Sequence, residues 1–144
     1  MRYKFVIFLF LLSTQFSFAQ DSTDAIRLRS LRYMQSANPA HCLDEETTGI
    51  PIFIRTCLNF EFQRVDSILN KRVLSYLATI EADSSKQQFQ KHHQNWINYR
   101  RFQSSIVVRG LQGNALGIRY LDCMVQMTKK RIEEIAYFIW REQN

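Results

Sequence analysis

Between residues 52 and 82, apolar side chains return every three or four positions: Leu58, Phe62, Val65, Leu69, Val73, Tyr76, Leu77 and Ile80. That period places them on one stripe of an α-helix. "EADSS" at 81–85 interrupts the stripe, and Asp83, Ser84 or Ser85 can cap the next helix. The pattern resumes over about 85–108, with Phe89, His92 or His93, Trp96, Tyr99, Gln103, Ile106 and Val107 on one side. "RGLQGN" then supplies a glycine stop and the N-cap Asn114. A last helix over about 115–141 carries Leu121, Met124, Val125, Thr128, Ile132, Ile135, Ala136 and Ile139. Upstream, residues 24–36 predict a short helix capped by Ser22, Thr23 or Asp24, with Ile26, Leu31 and Met34 turned inward. Residues 37–50 read as a loop. Strand-like alternation is confined to "IPIFI" at 50–54. The pattern therefore predicts an all-α fold: a three-helix antiparallel bundle with an N-terminal helix or loop extension.

In an antiparallel hairpin, facing residues have numbers that add to a constant, here about 166 if the first turn centres near Asp83. Asp66 then faces Arg100, and Asn70 faces Trp96. A second turn near Gly113 puts position 104 opposite Cys123. Trp96 and Tyr99 share a face, and the Arg100 stem lies along the indole. These spacings predict an interior or half-buried Asp66–Arg100 ion pair, with Asn70 hydrogen-bonded to the indole N–H or nearby backbone. The competing reading makes Trp96 and Arg100 a ligand-binding pair.

The first residues change where this bundle is placed. Arg2 and Lys4 precede an unbroken apolar run from Phe5 to Leu12, and Ser17-Phe18-Ala19 puts small residues at a cleavage position. The run is too short to span a bilayer of about 30 Å, and no later segment approaches the ~20 apolar residues a stable membrane span needs. Residues 1–19 thus read as a signal peptide cleaved after Ala19, residues 20–50 as an N-terminal extension and loop, and residues 51–142 as the helical domain. The expected location is secreted or periplasmic.

The full chain carries a net charge of +6, and loss of Arg2 and Lys4 leaves +4. Residues 20–83 hold seven Lys/Arg against nine Asp/Glu, and residues 84–144 hold ten against four. A basic half can attract anionic polymers. Export argues against nucleic acid, and none is expected as a partner. "DEE" (Asp44, Glu45 and Glu46) forms a compact negative patch suited to partner binding.

Catalytic groups do not assemble along the sequence. Adjacent His92 and His93 diverge by about 100° on a helix, and His41 beside Cys42 is not a Cys–His pair in space. No phosphate loop, serine elbow or HExxH is present. No catalytic residue, metal site or cofactor is expected. Glu133 and Glu134 sit four residues after Lys129 and Lys130, which predicts surface pairs. Three cysteines, Cys42, Cys57 and Cys123, leave at least one free or bonded to another chain.

Taken in order, Cys42, Cys57, "VDSILN" at 65–70, "QNWINYR" at 94–100 and "CMVQMTKKRIEEI" at 123–135 resemble the LprI-type lysozyme-inhibitor-like family of small secreted bacterial domains. "VDSILN" is similar to the family's Ala-Asp-x-x-Leu-Asn, and "QNWINYR" to its Trp-x-x-Tyr/Phe-Arg. The resemblance implies a disulfide-stapled helical domain in which Asp66, Asn70, Trp96, Tyr99, Arg100, Cys123, Thr128 and Arg131 are structural. The family usually has a cysteine four residues after the motif arginine. Here that position is Ser104, so the resemblance implies that Cys123 has lost its partner and that Cys42–Cys57 is the bridge. Cys42–Cys123 and Cys57–Cys123 are the alternatives. The function implied is a non-enzymatic interaction protein that binds and blocks a lysozyme or another envelope protein. The alternative is a cell-envelope structural or anionic-polymer-binding module using the basic half; Arg101, Lys129, Lys130 and Arg131 clustered on one surface would favour it.

Overall fold

A computed structural model of the protein describes residues 23–43 and 49–144. The signal-peptide reading of residues 1–19 and the acidic residues Asp44, Glu45 and Glu46 lie outside the described residues. Among the described residues four α-helices follow one another: α1 (Thr23–Arg29), α2 (Pro51–Thr79), α3 (Asp83–Ile106) and α4 (Gly113–Gln143). Two 3-10 turns, Arg32–Met34 and Pro39–Leu43, link α1 to the region before α2. The architecture is all-α, and α2, α3 and α4 form the expected three-helix body.

Local chemistry sets the boundaries. Pro51 opens α2, where a missing N–H costs nothing and its fixed φ suits the first turn. Asp83 does not cap α3. The helix starts at Asp83 itself after an extended Ala82, and the carboxylate sits in the first turn, where the helix dipole favours it. Asn114 also falls inside a helix, since α4 starts at Gly113 after an extended Gln112. Gly110 and Gly113 turn the chain with φ of 80° and 57°, a region that side chains resist.

α1 is shorter than the periodicity suggests, and its inward face differs. Asp24 and Leu28 are buried, whereas Ile26 is 65% exposed. Polar side chains of α2 fix this orientation. Asn59 Nδ2 donates to the Leu28 carbonyl and to the Tyr33 hydroxyl, each at 2.9 Å, and Gln63 Nε2 donates to the Ala25 carbonyl at 2.8 Å. These amides tie the α1 backbone and the Tyr33 side chain to α2.

The core gathers Leu28, Phe62, Leu121, Met124 and Val125, with Leu58 and Tyr120 packed against it. The closest backbone approach is between α2 and α4. The two run parallel: Arg55 lies beside Gly117, Lys129 bonds Glu61 at 2.8 Å, and Tyr76 meets Phe138. α3 runs antiparallel to α2, in the register derived from the turn: Tyr76 meets Phe89 and Asp66 meets Arg100. Long side chains, not close backbones, connect α2 and α3. That spacing leaves room for the polar cluster between them.

Candidate functional site

Arg100 is 1% exposed and reaches three helices. Nη1 donates to Asp66 Oδ1 at 2.9 Å on α2 and to Thr128 Oγ1 at 2.8 Å on α4, and Nη2 donates to Asp24 Oδ2 at 3.0 Å on α1. A planar fork with five donors can do this, where a lysine ammonium cannot. The Thr128 hydroxyl in turn donates to the Met124 carbonyl at 2.7 Å, so its oxygen both donates and accepts. The guanidinium also lies 5.1 Å from the ring centres of Phe62 and Trp96. Arg101 Nε bonds both oxygens of Asp24 at 3.0 Å. Asp24 and Asp66 thus face Arg100 and Arg101, with the exposed Arg27 3.5 Å from Asp24, so each buried carboxylate is paired, the condition for keeping such groups out of water.

Trp96 lies between two arginines. Arg131 sits 5.5 Å from its ring and 6.0 Å from Phe89. Phe89, His93 and Trp96 stack along α3, with centroids 6.1 and 5.7 Å apart. Arg131 Nη1 donates to Glu134 at 2.7 Å, while its Nε and Nη2 are buried with no hydrogen-bond acceptor among the described residues. The aromatic faces supply the remaining stabilisation of that cation, at about 0.5–2 kcal/mol each.

Several sequence expectations change here. Tyr99 is 52% exposed and outside the seam, because α3 turns His93, Ile97, Arg100 and Ser104 inward. Asn70 Nδ2 points to Asp66 Oδ2 at 3.5 Å and not to the indole. Arg131 is buried, Lys129 bonds Glu61, and Arg101 bonds Asp24, so these residues and Lys130 do not form the single basic surface that would favour a polymer binder. The expected pairs from Lys129 and Lys130 to Glu133 and Glu134 give way to Lys129–Glu61 and Arg131–Glu134. Asp24 was readable as a helix cap but not as a member of the site. Its signal is weak: one carboxylate, one helical turn before the apolar Leu28, in a segment otherwise rich in arginine.

Cys42 and Cys57 are bonded, with Cα atoms 5.5 Å apart. Cys123 is a free thiol, half-buried and not enclosed in the core. The Ser104 hydroxyl is buried without a hydrogen-bond partner among the described residues. Beside the disulfide, Tyr33, Ile52, Phe53 and Thr56 line a cavity of about 200 Å³. Ile50, Ile52 and Ile54 are exposed at the same end of α2. On the α2–α4 face, Glu61 accepts both Arg64 nitrogens, at 2.7 and 2.9 Å, as well as Lys129. The Arg64 hydrogen bonds lead in lowering the Glu61 carboxyl to about 2; partial burial opposes this and Lys129 adds to it. No three His, Cys, Asp or Glu side chains gather as a metal group among the described residues. No described helix is long and apolar enough to cross a membrane.

No curated protein and no solved structure matches the chain. The model of the family described as Lysozyme inhibitor LprI matches residues 42–135. That span runs from the first bonded cysteine to the buried Ile135 and contains Asp66, Trp96, Arg100, Thr128 and Arg131. It covers 94 of the 144 residues, so the chain belongs to the LprI lysozyme-inhibitor family.

Proposed function

We propose that this protein is exported and acts without catalysis, binding a lysozyme and blocking it through the end of the bundle that holds the disulfide. The carrying observation is the disulfide-tied end of α2, next in sequence to the acidic stretch Asp44, Glu45 and Glu46. The Cys42–Cys57 bond ties the chain two residues before that stretch to the first turns of α2. A cavity of about 200 Å³ and three exposed isoleucines lie at the same end. Acidic residues that follow the bonded Cys42 in sequence, together with the exposed isoleucines of α2, suit a basic partner with a cleft. The polar residues shared with the family motifs have a different role in this reading: buried and bonded to one another, they hold the helices in register. Export fits a structural disulfide, which persists in oxidising compartments.

The test is lysis of cell-wall suspensions by lysozyme, with and without mature protein (residues 20–144), at low and high salt. Inhibition is expected, weakened at least tenfold by combining Asp44→Asn, Glu45→Gln and Glu46→Gln. Undiminished lysis at micromolar protein would exclude the reading. Retention on anionic cell-wall polymer, lost at high salt, would favour a polymer-binding module instead.

A further inference from the structure

We propose that the cleft between α1, the Arg32–Met34 turn, α2 and the start of α4 binds short apolar carboxylates. The cleft is a cavity of about 220 Å³, with Arg27, Arg55, Tyr33 and Tyr120 among its walls. Its floor is apolar: Leu28 and Leu121 are 3% and 1% exposed.

Arg55 carries the inference. It is half-buried, its guanidinium lies 4.4 Å above the Tyr33 ring, and its Nε is buried without an acceptor. Among the described residues it has no ion-pair partner, unlike the buried Arg100 and Arg131. Gly117 makes its position possible, since a Cβ there would collide with Nε, Cζ and Cδ of Arg55. Arg27, which lines the same cleft from α1, is held only loosely, at 3.3 Å from the Tyr120 hydroxyl and 3.5 Å from Asp24, and is largely exposed. A guanidinium fork matches a carboxylate with two parallel hydrogen bonds. Arg55 therefore receives the carboxylate, Arg27 swings to it from α1, and the leucines take the apolar body.

A small inorganic anion would leave that floor unfilled. The volume is below the roughly 300–1,000 Å³ of drug-sized sites, so the body is no larger than an amino-acid side chain or a short acyl chain. Two sources share this chemistry: a free short-chain acid, and the terminal carboxylate of a peptide ending in an apolar residue. The inference is independent of lysozyme binding.

The experiment is an NMR titration of ¹⁵N-labelled mature protein with acetate, butyrate, hexanoate, hexanamide and N-acetyl-leucine, following the Gly117 amide. Saturable shifts are expected for the acids, with affinity rising roughly fourfold per buried methylene. Hexanamide should bind at least tenfold more weakly than hexanoate. Tighter binding of N-acetyl-leucine than hexanoate identifies peptide termini as the source, and the reverse order identifies free acids. Arg55→Gln should cost at least tenfold while Asp24 and Arg100 remain in place, and Gly117→Ala should weaken binding by displacing a retained Arg55. Equal binding of hexanoate and hexanamide, or no saturable shift at Gly117 up to tens of millimolar, overturns the proposal. Both results come from the unaltered protein, so they stand even if a variant fails to fold.

Discussion

Asp24→Ala tests the buried cluster at its least obvious member. Asp24 is 2% exposed and accepts from Arg100 at 3.0 Å and twice from Arg101 at 3.0 Å. Removing one partner of a buried ion pair costs about 3–5 kcal/mol when the other charge is left stranded. Two features reduce that figure here. Arg100 keeps Asp66 and Thr128, and the Arg101 side chain, 33% exposed, can recover water. The expected loss is about 3 kcal/mol for Asp24→Ala. For Asp24→Asn, which keeps shape and one acceptor but not the charge, it is about 2 kcal/mol. Urea unfolding followed by circular dichroism at about 222 nm, the helix band, reads this directly. With a slope of about 2 kcal/mol per molar for a domain of this size, the alanine midpoint should fall by about 1.5 M. Arg29→Ala, an exposed neighbour on the same helix, should leave the midpoint within about 0.25 M. If both Asp24 variants also stayed within that range, desolvation would cancel the pairing, and α1 would be held by its apolar and amide contacts alone.

Glu61 has its carboxyl held near 2, below the ordinary 4.5, so its contribution is fully present above about pH 5 and fades as pH falls toward 2. Its side chain is 29% exposed, which limits the effect to about 1 kcal/mol; Glu61→Gln should flatten the acid limb of the stability profile by that amount, and an unchanged limb would remove Glu61 as a cause. Cys57→Ser should cost about 3 kcal/mol by freeing a loop closed across 15 residues, whereas Cys123→Ser should cost under about 1 kcal/mol; equal thermal shifts would contradict the pairing. Tyr99→Ala should change stability by less than about 0.5 kcal/mol, and Trp96→Ala, which strips the ring between Arg100 and Arg131, by about 3–4 kcal/mol. A chemical-denaturation series in which Tyr99 proved the more costly would reverse the assignment of the α3 seam.

The three long helices were legible because they carry the strongest local signals: a sustained 3.6-residue period and glycines at the second turn. Register was legible too, since two short turns leave little freedom, and Asp66 meets Arg100 as the arithmetic requires. Sequence could not show which side of a polar-rich helix turns inward. On α3, the period puts Tyr99 in the seam beside Trp96, yet packing leaves it 52% exposed, while Arg100 is buried against Asp66 as its ion pair requires. Hydrophobic pattern fails there because the interior is paired charge. The same blindness hid Asp24, whose partner lies 76 residues away. Pair partners so distant leave no periodic trace, and only the assembled bundle brings them together.

The charge balance bears on the capacity of the matched family segment to stand by itself. Within residues 42–135 the buried carboxylate and arginine side chains are Asp66, Arg100 and Arg131, one carboxylate against two guanidinium groups. Glu134 answers Arg131 from a half-exposed position, but Nη2 of Arg100 finds its carboxylate on α1, before the segment begins. α1 and the turn after it are also fastened by three amide hydrogen bonds from α2, and α1 contributes Leu28 to the core. A short helix outside the family match therefore completes the electrostatics of the bundle interior. We propose that the folding unit starts at α1 and not at residue 51. A fragment beginning at Cys42 would expose one side of Phe62 and leave Nη2 of Arg100 without its carboxylate, two defects that a chain of this size cannot easily offset.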